Sequence, residues 1–594
     1  MRVRDGLALL SVCRSIEAQS DGGARVPHRA GQAHGTLARG LGLCVGVLLG
    51  VMLPLTVAWG QTRPGTVQPG QVERQLKKPP EPSARPGIIT IPEPGQTPPA
   101  NAADIQFVLN RLTVDGVTTY EAETLRRVYA GALGREVTLA DVYRIVDALT
   151  ARYRNDGYIL SQVIVPAQSV EDGAIRLQAI EGYIASVRVE GGSAAVNARI
   201  RRYAEKVRAV RPLTADALER YVLLVNDIPG VQARAVLMPA SIRGAADLVL
   251  LVSERRAATG FSFDTRGSRA QGRQRMFGDV ALHSLFGGVS LTELRVVSTG
   301  NRELGYFAAA YDQLVGTEGT SIGVAASYVS SRPQELLFIP LELKTTSQAF
   351  TLTVTQPLVR SRTRNLHARA ALSAFNSKTT VFGVKDSADC LRAVRLGLTF
   401  DASDGLGGIN LADLELSQGI PALGASDNGG RYLSRPTGRT DFRKAALYAA
   451  RLQSLTPNWS VALVVNAQYA LTDLLSPELF AAGGEQFGRG YDFAELLNDH
   501  GVAVKVDLGY RHTWTGRMPA MLMPYGFFDY GQAWQRTRVP GLDRTQSAAS
   551  AGGGFRLSLG RQVSGFVEFA KPLTKVVGQE KNRKGRIYVG LSIQ

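Results

Sequence analysis

The sequence predicts a mainly β protein, in which a membrane-spanning β-barrel follows two small α/β modules. Three observations support this fold class: an apolar leader at the N-terminus, a tandem repeat of a helix-strand pattern, and a long C-terminal part in which apolar and polar residues alternate. Alternation over many short segments separated by turns, in an exported chain, is typical of a transmembrane β-barrel.

The first 60 residues resemble an export signal. Arg39 precedes the apolar stretch "LGLCVGVLLGVMLPLTVAW", and the small residues Ala58 and Gly60 fit cleavage before Gln61. No run of 18 apolar residues follows this leader, so a helical membrane protein is not predicted. We therefore interpret residues 1–60 as an extended signal peptide and expect the mature protein to leave the cytoplasm.

Residues 61–102 are predicted to be a linker. The segment is rich in proline and shows no apolar periodicity, so it cannot bury a core. Within it, "GQVERQLKK" can form about two helical turns before Pro79, which is too short to be stable alone. The linker is therefore expected to be extended, with one possible short helix.

Two similar modules follow, predicted over residues 103–182 and 183–256. In the first, Thr138 is a candidate N-cap for a helix with apolar residues at helical spacing, and a strand rich in Ile and Val follows. Thr214 opens the same pattern in the second. The simplest interpretation is a pair of β-α-α-β-β modules. Small modules of this kind expose sheet edges that an extended peptide can join by strand addition.

Residues 257–594 are assigned to the barrel. In "VRLGLTF", Leu396, Leu398 and Phe400 alternate with Arg395, Gly397 and Thr399, and "FTLTVTQP" and "GFRLSLG" alternate in the same way. A soluble sandwich would also alternate. The export signal, the near absence of helical periodicity and the small polar residues on one face favour a barrel with a wet lumen.

Charge and cysteine content exclude other classes. The excess of 68 Lys+Arg over 51 Asp+Glu gives +17, but these cations are scattered without a basic block, so nucleic-acid binding is not predicted. Cys13 and Cys44 lie in or before the leader, so only Cys390 is expected in the mature chain. Neither a disulfide framework nor a cysteine metal site is then predicted.

No catalytic, cofactor-binding or metal-binding residue is predicted. "GTSIG" fits the pattern of a nucleophile elbow around Ser321, but that elbow needs a following helix and "VAASYVSS" is strand-like. The six histidines have no metal-ligand spacing, and no phosphate-binding loop motif is present. Asp401 and Asp404 in "DASDG" are interpreted as a turn rather than a cation site.

The stretch "EQFGRGYDFAE" is the strongest candidate for a functional segment. Gly488 and Gly490 flank Arg489 on a turn that suits a hairpin tip, and Tyr491 and Asp492 follow. The glycines allow a positive φ or a close approach to another wall, and the tip presents one guanidinium. Residues alone leave open whether this turn is simply solvated.

Taken in order, these segments resemble a known family, the outer-membrane transporters of two-partner secretion (TpsB proteins), which export haemolysins and filamentous adhesins. The resemblance covers almost all of the mature chain and is carried by "PGQVERQL", the linker, two POTRA-like modules, "RLGLTFDASDGLGGINLADLELSQGIPALGAS", "FGRGYD", "PYGFFDYGQAW" and "GRIYVGLSIQ". It implies about sixteen antiparallel strands in the outer membrane of a Gram-negative bacterium, with the POTRA modules in the periplasm.

The resemblance also implies a site and partners. It implies that the hairpin folds into the barrel lumen, where Arg489 meets Asp529 and where Phe527 and Gly531 of the same strand are further wall partners of the hairpin. The implied partners are a secreted protein of the TpsA type bound by the POTRA modules, outer-membrane lipid, and the barrel assembly machinery. An assembly factor that inserts other barrels remains an alternative, and an outer-membrane enzyme a third; the presence of only two modules favours export.

The chain departs from the family pattern at three places. Gly488 stands where the family usually has Val, the family's N-terminal plug helix is hard to find, and the chain ends in Ile593-Gln594 rather than in an aromatic residue. We nevertheless expect membrane insertion, with Tyr588 and Ile593 facing lipid.

Overall fold

The computed structural model describes residues 65–83, 97–285, 288–335, 338–516, 519–538, 543–560 and 562–594. The predicted signal peptide, most of the predicted linker, and both Cys13 and Cys44 lie outside these residues, so the predictions made for them stay predictions. Within the described part of the chain, no helix is long and apolar enough to cross a membrane.

The first α/β lobe consists of two helices packed on a three-stranded sheet of order β2-β5-β4. Its elements are β1 Gln106–Val108, β2 Arg111–Asp115, α2 Ala122–Tyr129, a 3-10 helix Ala130–Ala132, β3 Glu136–Thr138, α3 Leu139–Asn155, β4 Gln162–Ile164 and β5 Ala174–Ile180. A shorter helix, α1 Gln71–Leu76, precedes the lobe. Thr138 caps α3 as predicted: its Oγ1 accepts from the Asp141 amide, and the Asp141 carboxylate accepts from the Thr138 amide.

The second lobe lacks counterparts of β1 and β3 but otherwise has the same order, one strand, two helices and two strands, around a sheet of order β6-β8-β7. Its elements are β6 Tyr183–Gly191, α4 Ala194–Ala209, α5 Ala215–Asn226, β7 Val231–Pro239 and β8 Ala245–Glu254. Each lobe has its own core, centred on Leu149 and Leu177 in the first and on Ile200 and Leu248 in the second. In both lobes the apolar positions spaced at helical period face the sheet, as the sequence pattern predicts.

The remainder of the chain forms a closed antiparallel barrel of sixteen strands. β22 and β23 count as one interrupted strand because both pair with β24. The strands are β9 Ala257–Asp264, β10 Arg275–His283, β11 Ser290–Thr299, β12 Leu304–Leu314, β13 Ser321–Ser331, β14 Lys344–Arg360, β15 Arg364–Val381, β16 Val384–Ser403, β17 Gly408–Gly419, β18 Arg443–Ser454, β19 Trp459–Ala470, β22 His500–Tyr510, β23 His512–Trp514, β24 Ala520–Trp534, β25 Thr545–Leu559, β26 Val563–Pro572 and β27 Arg586–Ile593.

Three short elements lie inside the barrel, between β19 and β22: a 3-10 helix Ser476–Glu478, β20 Phe480–Ala482 and β21 Leu496–Asn498. Two further 3-10 helices are Gly65–Val67 and Ile339–Leu341. Because β20 pairs with β21, the chain between β19 and β22 forms a hairpin that enters the lumen.

The alternation predicted from the sequence sets which side chains face outward. Leu396, Leu398 and Phe400 on β16 are exposed on the outside of the wall, whereas Asp401, on the opposite face, is buried. Ser321 begins β13 and is followed by strand rather than helix, so the nucleophile-elbow geometry does not form. Asp404 accepts hydrogen bonds from the Leu406 and Gly408 amides, which is the predicted turn.

One expectation for the last strand is wrong. Tyr588 is buried, packs with Tyr525 and Phe527, and its hydroxyl accepts from Arg586, so it faces the lumen rather than lipid. The reason is strand periodicity, since Tyr588 lies in the opposite phase to Ile593. Ile593 faces outward as expected.

The second lobe is fixed to the turns at one end of the barrel. Asp227 and Arg360 form a two-pronged salt bridge with both distances at 2.7 Å. Glu318, in the turn between β12 and β13, lies 3.2 Å from both Lys206 and Arg220. Burial raises the pKa of the Glu318 carboxyl, but hydrogen bonds from Lys206 and Arg220 outweigh it and hold the pKa below its ordinary value. These contacts define the lobe end of the barrel.

Candidate functional site in the barrel lumen

The hairpin is built into the wall by close packing at glycines. β20 and β21 pair over Phe480–Ala482 and Leu496–Asn498 and lie against β24. A Cβ atom on Gly531 would lie 3.2 Å from both the Ala482 Cβ and the Leu496 Cδ1. The absence of a side chain at Gly531 therefore lets the hairpin base reach the wall.

The structure brings Arg489, at the hairpin tip, onto Asp529 of β24. The Arg489 backbone amide and Nε donate to Asp529 Oδ2 at 2.8 and 3.0 Å, and Nη2 donates to Oδ1 at 2.7 Å. The side chains of Arg489 and Asp529 are 2% and 0% exposed. A two-pronged, charge-assisted contact of this kind fixes both the position and the orientation of the guanidinium.

Two further carboxylates and one ring complete the surroundings of Arg489. Nη2 also donates to Asp507 Oδ1 at 2.6 Å, and Nη1 lies 3.6 Å from Glu568 Oε2. The guanidinium carbon lies 3.5 Å from the centroid of the Phe527 ring. Phe527, expected as a wall partner of the hairpin, therefore contacts Arg489 through a cation–π interaction.

Two further arginines balance the excess negative charge of the three carboxylates around Arg489. Arg266 lies 3.2 Å from Glu568, and Arg556 lies 3.4 Å from Asp507. The site thus contains three carboxylates and three guanidiniums on different elements. Removing one charge would leave a buried partner uncompensated, which is costlier than breaking an exposed pair.

Each of the two glycines beside Arg489 is required for a different structural reason. Gly488 has φ 93°, a value that strains any residue with a side chain, so a Val in this conformation would be strained. At Gly490, a Cβ would lie 2.8 Å from the Pro572 nitrogen and 2.9 Å from the Ser550 Cβ. The tip therefore needs both glycines for its own turn and for its approach to the wall.

Tyr491 and Asp492 bind the next part of the wall. The Tyr491 hydroxyl donates to the Ala549 carbonyl at 3.0 Å and accepts from the Lys575 amide at 3.2 Å, while its ring is buried. Tyr491 is therefore held both by packing of its ring and by hydrogen bonds of its hydroxyl. Arg586 Nη1 donates to Asp492 Oδ1 at 2.9 Å.

The short helix α1 also lies in the lumen, against the hairpin base. Gln71 Nε2 donates to the Ser476 carbonyl at 2.8 Å, and the Arg74 guanidinium donates to the Leu479 carbonyl. Val72 and Leu76 pack on the inner wall. A helix of this length is marginal in water, and these contacts supply the stability that its sequence lacks.

Glu478 joins α1, the hairpin and the wall. Its carboxylate lies 2.6 Å from both Arg395 Nη2 of β16 and Lys444 Nζ of β18, and 3.7 Å from Arg74 Nη2 of α1. One buried carboxylate thus holds three cations from three elements. Together, α1 and the hairpin occupy the lumen.

Sequence reasoning missed Asp507, Glu568 and Glu478. Asp507 and Glu568 lie on strands in which apolar and polar residues alternate, in "VDLGY" and "FVEFAKP", and both occupy positions that face the lumen. Charged residues in that phase are the available signal. Pairing them with Arg489 needs the three-dimensional position of the tip, which local alternation does not contain.

Family models match both parts of the chain. A model described as "POTRA domain, ShlB-type" matches residues 107–182. A second, described as "Haemolysin secretion/activation protein ShlB/FhaC/HecB", matches residues 244–557, which is more than half of the chain.

Curated relatives match this chain over most of its length. The chain is 22% identical over 488 residues to the heme/hemopexin transporter protein HuxB of Haemophilus influenzae, covering 79% of this chain and 84% of HuxB. It is 23% identical over 396 residues to the outer membrane transporter CdiB of Dickeya dadantii, covering 65% of this chain and 69% of CdiB.

Two solved structures share the fold. CdiB from Escherichia coli matches with a TM-score of 0.68 at 18% identity, covering 92% of this chain and 96% of that structure. CdiB from Acinetobacter baumannii matches with a TM-score of 0.59 at 14% identity, covering 94% and 100%. With the family match over the barrel, the chain belongs to the ShlB/FhaC/HecB family of haemolysin secretion/activation proteins and is a two-partner secretion transporter of the Gram-negative outer membrane.

Proposed function

We propose that the lobes at 103–182 and 183–256 are two POTRA modules in the periplasm that bind the secreted, TpsA-type partner in an unfolded state. The first lobe carries the POTRA family match, and the second repeats its order of strands and helices. β7, at the edge of the second sheet, is nine residues long and offers backbone groups to an extended peptide.

The remaining divisions follow from that assignment. Residues 1–60 act as the signal peptide, 61–102 as the linker that carries α1, and 257–594 as the barrel. The exposed apolar side chains on the outside of the wall face lipid, and the barrel assembly machinery inserts the chain. The lobe end of the barrel is then periplasmic and the opposite end extracellular.

The hairpin is the gate of this pore, and the observation that carries this proposal is the buried two-pronged contact between Arg489 and Asp529. A polypeptide can pass only when α1 and the hairpin leave the lumen. A charge pair can hold the hairpin at rest and still exchange partners when the secreted chain enters. The mechanism needs no cofactor, metal or catalytic residue.

Export and barrel insertion, the alternative function, predict different losses when the gene for this chain is deleted. Export predicts that one large protein of the TpsA type disappears from the culture medium while the other outer-membrane barrels keep their abundance. Mass spectrometry of the medium and of the outer-membrane fraction measures both. Wild-type chain supplied in trans should restore secretion. A general decrease of other barrels with an unchanged medium would contradict export and favour an assembly factor.

A further inference from the structure

The extracellular loop 420–442, between β17 and β18, is not a free loop. β16 extends beyond its pairing with β17, and the loop lies along that extension. The Ser426 amide donates to the Cys390 carbonyl at 2.9 Å, and the Ala388 amide donates to the Tyr432 carbonyl at 2.6 Å. The Ser434 amide donates to Asp389 Oδ1 of β16 at 2.9 Å. This path carries the loop from the rim toward the centre of the mouth.

There the loop binds the base of the hairpin. Arg435 donates from Nη1 to Asp499 Oδ1 at 2.6 Å and from Nη2 to Asp499 Oδ2 at 3.1 Å. Leu433 is buried against Leu474 and Leu475. The Ser476 amide also donates to a hydroxyl of the loop, so polar and apolar contacts join the two segments.

A third extracellular segment joins the same place. Asp499 Oδ2 accepts from the Arg536 amide at 3.3 Å. Thr537 donates to both carboxylate oxygens of Asp473, at 2.9 and 2.8 Å, and the Arg439 amide donates to the Asp473 carbonyl at 3.0 Å. Asp473 and Asp499 therefore gather three loops that begin at separate places on the rim.

This cluster is distinct in position from the contact of Arg489. Asp499 precedes β22, next to the end of β24 at Trp534, whereas Asp529 lies five residues earlier on β24. At about 3.4 Å per residue, the two charge clusters are separated by roughly 17 Å along the strand. The hairpin is therefore held at its tip and, independently, at its base.

We propose that Arg435, Asp499, Asp473 and Leu433 form an outer latch, a second closure that seals the extracellular mouth in series with the hairpin tip. The proposal rests on the chain's function as an export pore and does not require Arg489 to be its gate. The Arg435 side chain is 20% exposed, whereas that of Arg489 is 2% exposed. Asp499 is buried, but water reaches the Arg435 guanidinium, so separating this pair costs less than separating Arg489 from Asp529.

Arg435→Ala tests the latch by the surface accessibility of loop 420–442. On intact cells, added proteinase K should cleave this loop several-fold faster in Arg435→Ala than in the wild-type protein, since one link between the loop and the hairpin is lost. Arg431→Ala removes an arginine from the same loop, one that lies over the ring of Tyr432 rather than on Asp499, and should leave the cleavage rate unchanged. Arg435→Lys keeps the positive charge but loses the two-pronged guanidinium contact, so its cleavage rate should lie between those of the wild-type protein and Arg435→Ala.

Conductance of the purified proteins in planar lipid bilayers tests the series arrangement. Two closures in series predict that Arg435→Ala with Arg489→Ala opens the pore by more than the sum of the two single changes. Heat-modifiable migration of every variant in gels establishes that its barrel has folded. Cleavage of Arg435→Ala at the wild-type rate, or a double variant that conducts no more than Arg489→Ala, would overturn the outer latch. A double variant that conducts no more than Arg435→Ala, with loop cleavage still increased in Arg435→Ala, would refute only the gate at the tip.

Discussion

At the scale of single residues, the site depends on shape as much as on charge. Arg489 donates from Nε and Nη2 to Asp529, and Nη2 also donates to Asp507. Its guanidinium lies over the Phe527 ring. A lysine would place one point charge there and lose the fork and the stacking. Gly490 permits this arrangement because the tip backbone passes directly against the wall.

Gly490→Ala should therefore displace the tip without removing a charge. The added methyl group meets backbone and Ser550 atoms, and overpacking of this kind costs about 1–3 kcal/mol. We expect altered resting conductance in planar bilayers with a normally folded barrel. Gly405→Ala is the matched control, because a Cβ at Gly405 meets nothing within 4 Å. Equal conductance of these two variants would show that the contact of Gly490 with the wall does not hold the tip.

At the scale of elements, α1 and the hairpin stabilise each other. α1 spans six residues, and the sequence alone predicts that such a helix is unstable. In the lumen its polar side chains bind the hairpin base, and Glu478 compensates the charge of Arg74. The helix is therefore stable because of where it lies and not because of its own propensity.

Glu478→Gln should loosen α1 and the hairpin together. The substitution keeps the size of the side chain but leaves Arg395, Lys444 and Arg74 without their shared carboxylate, and uncompensated buried charge is costly. We expect larger and more frequent conductance fluctuations in planar bilayers. Glu485→Gln, on the same hairpin, removes a carboxylate that is 57% exposed. It should have little effect, because its buried partner Arg275 keeps a second carboxylate, Asp264, at 2.7 Å. Indistinguishable traces from the two variants would contradict the coupling through Glu478.

The elements also show what local sequence can predict. Alternation in "VRLGLTF" identified the strand and its outward face, and the capping residue Thr138 identified the start of a helix, because both are local properties. Tyr588 and Ile593 were both expected to face lipid, although residues five positions apart on a strand lie on opposite faces. Asp507 and Glu568 could not be paired with Arg489, because their meeting depends on how a long segment folds back through the barrel.

At the scale of the whole molecule, the second lobe, the barrel and the lumen segments form a connected path. The second lobe is bound to the turns at the lobe end of the barrel by Asp227 and Glu318, α1 lies inside the wall, and the hairpin extends from the opposite rim to the middle of the lumen. A secreted chain bound at the sheet edges would start beside the turns that anchor the barrel. The number of strands followed from the family resemblance, whereas alternation alone did not separate a barrel from a soluble sandwich.

The measurement that tests the account most directly is a double-mutant cycle on Arg489 and Asp529. Each alanine variant leaves a buried partner uncompensated, a cost on the order of 3 kcal/mol, which a sixteen-stranded barrel should survive while the hairpin loses its resting position. Arg489→Ala and Asp529→Ala should each abolish most secretion and change conductance while heat-modifiable protein accumulates in the outer membrane. The account predicts that the double variant is no worse than either single variant, because the two residues act as a unit. Normal secretion by Arg489→Ala, or losses that simply add in the double variant, would contradict it.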